Sequence, residues 1–133
     1  MIVLDTHVLI WWVNGDNHLS ESARLAIERE LKREDGQILV SSITAWEIAL
    51  LVEKSRLALT MDVDEWLRTV ARIEGVRFVP VDNEVAVHSV RLPSEFHPDP
   101  ADRIITALAR HHAVSLVTGD AKMRGYEFVK TIW

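Results

Sequence analysis

Short aliphatic runs alternate with longer stretches of helical periodicity along the chain. The runs Ile2 to Leu4, Ile38 to Val40, Arg77 to Val81, Ser115 to Thr118 and Glu127 to Ile132 each have the length of a buried strand. Ile38-Leu39-Val40 and Leu116-Val117 show no polar alternation, which predicts burial on both faces, as in a parallel sheet covered by helices. Between these runs the apolar residues fall at helical spacing. Ser20 precedes a segment over 21–34 with Ala23, Ile27 and Leu31 on one stripe. Asp62 and Glu65 form a capping-box pattern ahead of Val63, Trp66, Leu67, Val70 and Ile73. Asp82 opens a further helix that Pro93 ends, and Asp99-Pro100 opens the next, with Ile104, Ile105, Leu108 and Ala109 as its apolar face. Gly15, Gly36, Gly75 and Gly125 are each expected to close a helix. Strands alternating with helices imply βαβ units with right-handed crossovers, an α/β sandwich.

The chain has 133 residues, which predicts one domain over 1–133, with no repeat or linker. Hydrophobic residues make up 48% and charged residues 26%, so the composition is that of a folded globule and not of a disordered chain. No apolar stretch approaches the roughly 20 residues of a membrane span. The opening MIVLDTHVLIWW has an internal Asp5 and no basic flank, so it reads as a strand rather than a secretion signal, and the cytoplasm is the expected compartment. Cysteine is absent, which removes disulfides, thiolate metal sites and thiol nucleophiles. The net charge of -5 does not indicate a basic nucleic-acid binder, although carboxylates that hold cations can reverse a local balance.

In open parallel sheets, ligands bind beyond the carboxyl ends of the strands. The polar residues that follow each strand are therefore the candidates. The first strand ends at Asp5-Thr6, and the second at Ser41-Ser42, whose following helix carries Glu47. The helix opened by Asp99-Pro100 has Asp102 in its first turn, and the strand ending at Thr118 runs into Gly119-Asp120. Four carboxylates at one sheet edge repel one another by several kcal/mol at intermediate dielectric. They persist together only where some are protonated or a cation lies among them. An all-oxygen set without cysteine points to Mg²⁺ or Mn²⁺. Each acid also has a structural reading. Asp5 and Asp120 suit helix N-caps, and Asp102 is favoured by the helix dipole. Glu47 could be solvated, but its neighbours Trp46, Ile48, Ala49, Leu50 and Leu51 leave a charge there in need of a partner or cation.

The stretches LDTHVLIWW (4–12), SSITAWEIAL (41–50), HPDPADRIITALA (97–109), LVTGD (116–120) and YEFVKTIW (126–133) together resemble the PIN-domain nucleases, and within them the VapC-type toxins of toxin–antitoxin pairs. The resemblance implies a parallel-sheet three-layer sandwich with an acidic pocket at the C-terminal ends of the strands. It implies Mg²⁺ or Mn²⁺, endoribonuclease activity on structured RNA such as tRNA or rRNA, a homodimer, and inhibition by a cognate antitoxin. By motif, Asp5, Glu47, Asp102 and Asp120 are the catalytic and metal-binding acids, with Thr6 and Thr118 supporting them. Asp120 matches the motif position that varies most. Asp99, as an N-cap before Pro100, is assigned a structural role. The chemistry implied is attack on phosphorus by metal-activated water, leaving a 5′-phosphate and a 3′-hydroxyl. The choice of RNA over DNA comes from the resemblance alone.

Arg103, beside Asp102, is a candidate either for substrate phosphate or for pairing with a carboxylate, and Lys122 after Asp120 is a second phosphate candidate. Lys54, Arg56 and Arg124 are weaker candidates of the same kind. His111 and His112 are adjacent and so point about 100° apart on a helix, which argues against a shared zinc ion. His7, close after Asp5, either grazes the pocket or, as is favoured, packs against its helix, and His97 is expected to bond backbone near Asp99. Trp11 and Trp12 suit burial or a dimer contact more than stacking on a base. No phosphate-binding glycine loop, dinucleotide fingerprint or serine nucleophile elbow is present. A receiver or aspartyl-phosphate phosphatase would need paired acids or D-x-D after the first strand, where Asp5-Thr6-His7 stands. A non-catalytic interaction module on the same fold would be marked by loss of the pocket acids, and all four are present.

Overall fold

A computed structural model describes residues 1–133. The order is β1 (Ile2–Leu4), α1 (Thr6–Asn14), α2 (Glu21–Lys32), β2 (Ile38–Ser41), α3 (Ser42–Glu53), α4 (Val63–Ala71), β3 (Val76–Val79), α5 (Asn83–Val90), α6 (Pro100–His112), β4 (Leu116–Val117), α7 (Ala121–Arg124) and β5 (Thr131–Ile132). The five strands form one sheet in the order β3-β2-β1-β4-β5, and every pairing is parallel. Ile38 lies beside Ile2, and Val3 beside both Leu39 and Leu116.

The continuous aliphatic runs are buried on both faces. Alternate residues of one strand point to opposite sides. Ile2, Leu4, Ile38 and Val40 pack with Val8, Leu9, Ile27, Ile48, Trp66 and Val70, which places α1 to α4 on one side. Val3, Leu39 and Leu116 pack with Val85, Ile105, Leu108 and Met123, from α5, α6 and α7 on the other. This is the expected three-layer α/β sandwich. No helix is long and apolar enough to cross a membrane.

Three expectations about boundaries are corrected. β3 ends at Val79 rather than Val81, because Pro80 has no N–H to give the ladder. β5 is confined to Thr131–Ile132, although the expected run began at Glu127. Upstream of it, the Tyr126 hydroxyl donates to the Pro93 carbonyl and Arg110 donates to the Phe128 carbonyl, so this segment is fixed by loops and side chains instead of a strand. Of the glycines, only Gly15 ends a helix in the left-handed conformation (φ 64°). Gly125 caps α7 at φ -81°. Gly36 and Gly75 lie beyond the caps Arg33 and Arg72. Gly36 is required by close approach instead, since a Cβ there would sit 1.8 Å from the Glu30 carbonyl oxygen.

The strand order reverses at β1, whose neighbours β2 and β4 lead in opposite directions. The carboxyl ends of β1 and β4 therefore frame a crevice at the switch point.

Candidate metal centre

A cavity of about 440 Å³ opens at that crevice, lined by Asp5, His7, Trp11, Glu47, Asp99, Asp102, Gly119 and Asp120. The four acids expected from the strand ends all reach it, and Asp99 joins them. Glu47, Asp99 and Asp102 form the tightest group, each offering a ligand oxygen within 4.8 Å of the others. Asp5 and Asp120 line the same cavity without joining that trio.

Local structure explains each position. Asp5 follows β1 directly and caps α1, with Oδ1 accepting from the Thr6 N–H at 2.8 Å. Its Oδ2 accepts from the Thr118 hydroxyl at 2.8 Å, which joins the ends of β1 and β4. The Thr6 hydroxyl donates to Glu47 Oε1. Thr44 lies 2.9 Å from the same hydroxyl. Because Thr6 has one proton to give, Thr44 donates to Thr6, and a relay Thr44 to Thr6 to Glu47 results. Asp99 caps α6 by accepting from the Asp102 N–H at 3.0 Å. Asp120 caps α7, Oδ1 accepting from the N–H groups of Lys122 and Met123. The structural readings of Asp5, Asp99 and Asp120 thus hold together with their place in the cavity. One carboxylate oxygen caps a helix and the residue still faces the site.

None of the five carboxylates forms an ion pair with lysine or arginine. The result is electrostatic tension. Burial, then the charges of Asp5, Asp99, Glu47 and Asp120, push the pKa of Asp102 up to about 8. Glu47 is raised by burial against the opposing Thr6 hydrogen bond, with Asp5 and Asp99 adding to the rise. Asp5 is raised by burial, against its hydrogen bonds from Thr118 and Thr6. Without a cation, Asp102 therefore carries a proton at neutral pH.

The candidate cations do not relieve this tension. Arg103 pairs with no carboxylate, and its guanidinium is engaged by backbone carbonyls. Nε donates to the Ser89 carbonyl at 2.8 Å, Nη1 to those of Phe96 and His97, and Nη2 to that of Val90. It ties down the connection from α5 to α6 that carries His97 and Asp99. Lys122 is exposed on α7 and its ammonium makes no ion pair. His97 does not bond backbone as expected. Its Nε2 is buried 3.2 Å from Asp102 Oδ2, without forming a hydrogen bond. Trp11 lines the cavity and packs on Trp133, whose ring crowds the space a Cβ at Gly119 would need (2.9 Å).

Sequence reasoning missed the cavity position of Asp99, the Thr44 hydroxyl and the His97 contact. Asp99 and Asp102 are three residues apart across a helix start, which places them on one face and was a readable signal. Thr44 and His97 gave none, because their partners lie on other elements.

A parallel α/β sandwich with an uncompensated carboxylate cluster at its switch point defines a class of α/β folds with an acidic, cation-binding centre. Residues 2–129 match the PIN domain family, and the chain belongs to that family. It is 38% identical to Ribonuclease VapC22 of Mycobacterium tuberculosis over 99% of this chain and 98% of the relative. In fold it is similar to a toxin–antitoxin complex chain from Klebsiella pneumoniae (TM-score 0.66, 24% identity, 97% of this chain and 95% of that one). It is also similar to a chain of VapBC2 from Rickettsia felis bound to a promoter DNA fragment (TM-score 0.69, 18% identity, 98% and 97%). PIN-domain nucleases use divalent metals, and the oxygen-only donor set here fits such an ion.

Proposed function

We propose that this protein is an Mg²⁺- or Mn²⁺-dependent endoribonuclease, the toxin of a type II toxin–antitoxin pair, acting in the cytoplasm on structured RNA of the tRNA or rRNA class. The supporting observation is the gathering of five carboxylates in one cavity with no lysine or arginine among them. Asp5, Glu47, Asp102 and Asp120 would hold one or two ions, directly or through water, and Asp99, grouped with Glu47 and Asp102, would join them. When bound, such an ion lowers the pKa of water and stabilises charge on the phosphate. The chain's own groups orient. Thr118 fixes Asp5, and the relay through Thr6 fixes Glu47. Lys122, exposed two residues after the cavity acid Asp120, would meet an approaching phosphate. No carboxylate acts as the nucleophile: water attacks phosphorus and the bond to the 3′ oxygen breaks, so the products are a 5′-phosphate and a 3′-hydroxyl.

The same negative wall suits an arginine offered by a small antitoxin, which would take the cation's place. The 38% identity to a VapC ribonuclease and the toxin–antitoxin assembly of similar fold support this reading. A homodimer is part of the proposal and is checked by gel filtration.

Purified protein incubated with tRNA and rRNA tests the proposal. Cleavage in Mg²⁺ or Mn²⁺, lost in EDTA and in Asp5→Asn, is the expected result. Asn at this position still accepts from Thr6 and can donate to Thr118, so the fold survives the change. Cleavage that persists in EDTA, or products ending in 2′,3′-cyclic phosphate, overturn it.

A further inference from the structure

A second cluster of metal-ligating side chains lies outside the nuclease pocket. Glu84 and His88 are four residues apart on α5 and so share one face of it. His111, in the last turn of α6, meets them from the neighbouring helix. The three ligand atoms lie within 4.8 Å of one another, and His111 Nδ1 is 3.7 Å from Glu84 Oε1. His88 and His111 also line a cavity of about 350 Å³ between the two helices, whose wall includes Arg91 and Arg110, so the carboxylate of Glu84 is the one negative group the cluster itself sets against those cations. Asp102 and His111 are on the same helix nine residues apart, which places the cluster about 14 Å along α6 from the acidic centre.

We propose that Glu84, His88 and His111 form a second metal site that takes a borderline transition-metal ion of the zinc class. Two imidazoles and one carboxylate suit such an ion, whereas Mg²⁺ and Mn²⁺ favour oxygen-only sets. Tetrahedral zinc with ligand bonds near 2.0–2.1 Å needs ligand atoms roughly 3.3 Å apart, so the side chains close by about an ångström. They have that freedom, with Glu84 60% and His111 31% exposed. Both histidines sit in the last turns of their helices, where the helix dipole favours a cation. The carboxylate offsets half of the ion's charge, and the adjoining cavity leaves room for water as a fourth ligand. The ion would bridge α5 and α6, the two helices joined by the connection that delivers Asp99 to the nuclease pocket.

The full chain in saturating Mg²⁺, titrated with Zn²⁺ by calorimetry, tests the proposal. One equivalent of Zn²⁺ should still bind and should raise the melting temperature. His88→Ala and His111→Ala should each weaken it by at least about tenfold, since even the loss of an outer-shell partner costs that much. His112→Ala and Asp102→Asn should leave it unchanged. The Co²⁺ form should show a visible absorption band that is lost in His88→Ala. All these positions are exposed or half-buried, and circular dichroism verifies the folding of each variant. Zinc uptake that is absent, indifferent to both histidine substitutions, or lost in Asp102→Asn overturns the proposal.

Discussion

The acidic pocket and the Glu84–His88–His111 cluster are alike in one respect: each holds three ligand atoms within 4.8 Å. They differ in the remaining physics. In the pocket, all donors are carboxylates, Asp5 is 6% exposed, and fixed hydroxyls and N–H groups hold the oxygens in place. The second cluster is exposed, carries one carboxylate and two imidazoles, and is made of side chains with no hydrogen bonds to fix them. Burial converts proximity into tension, which is why Asp102 rises to about 8. Exposure lets charge relax into water. The pocket is therefore organised before any ion arrives, while the histidine cluster would be organised by its ion. Preorganisation of this kind is what catalysis needs.

The largest effect should separate the two regions by activity. Asp102→Asn should lower RNA cleavage by on the order of 10²–10³-fold, the scale of removing one electrostatic group at a reacting centre. His88→Ala should cleave RNA at the wild-type rate. Single-turnover cleavage of one RNA by both variants in Mg²⁺ gives the comparison, and a comparable loss in His88→Ala would erase the distinction between the regions.

Much of the pocket was readable beforehand because topology does the placing. Once β1 and β4 are parallel neighbours, Asp5 and Asp120 must surface at the same edge. Glu47 was readable because a charge among Trp46, Ile48 and Ala49 needs a reason. Asp99 was read as a cap, and it is one. Its second role needed the position of Glu47, which comes from a different element. The histidine cluster was not readable at all. His111 invites pairing with adjacent His112, which points elsewhere on the helix, while its real neighbour His88 is on α5 and depends on how the two helices pack. The strand limits at β5 failed for the same reason, since Tyr126 and Phe128 are held by Pro93 and Arg110 from distant segments.

A second, smaller effect concerns pH. A carboxyl whose folded pKa is raised binds more protons in the folded than in the unfolded chain. Its contribution is most favourable below the unfolded value near 3.8 and is lost as pH rises through about 8. Metal-free protein should therefore lose stability across that window, with Glu47 and Asp5 shifting the balance in the same direction. Asp102→Asn should flatten the slope and be the more stable protein at pH 8 in EDTA, by urea denaturation. Saturating Mg²⁺ should remove the wild-type deficit. Glu84→Gln, in the exposed cluster, should leave the slope as it is, and an equal flattening there would mean that burial is not the cause.

The smallest effect lies one step back from the acids. Thr44 is fully buried and its hydroxyl gives its proton to Thr6, which leaves the Thr6 proton directed at Glu47. Thr44→Val keeps the volume and removes the donor. The loss of one neutral buried hydrogen bond costs about 1 kcal/mol, read as a lower urea midpoint. The more informative consequence concerns Glu47. Thr6 would no longer be held by Thr44, so the carboxylate would lose its fixed orientation and cleavage should fall several-fold at saturating RNA, with KM little changed. A stability loss with an unaltered turnover rate would show that the pocket tolerates a loosely held Glu47. It would then resemble the exposed cluster more closely than its burial suggests.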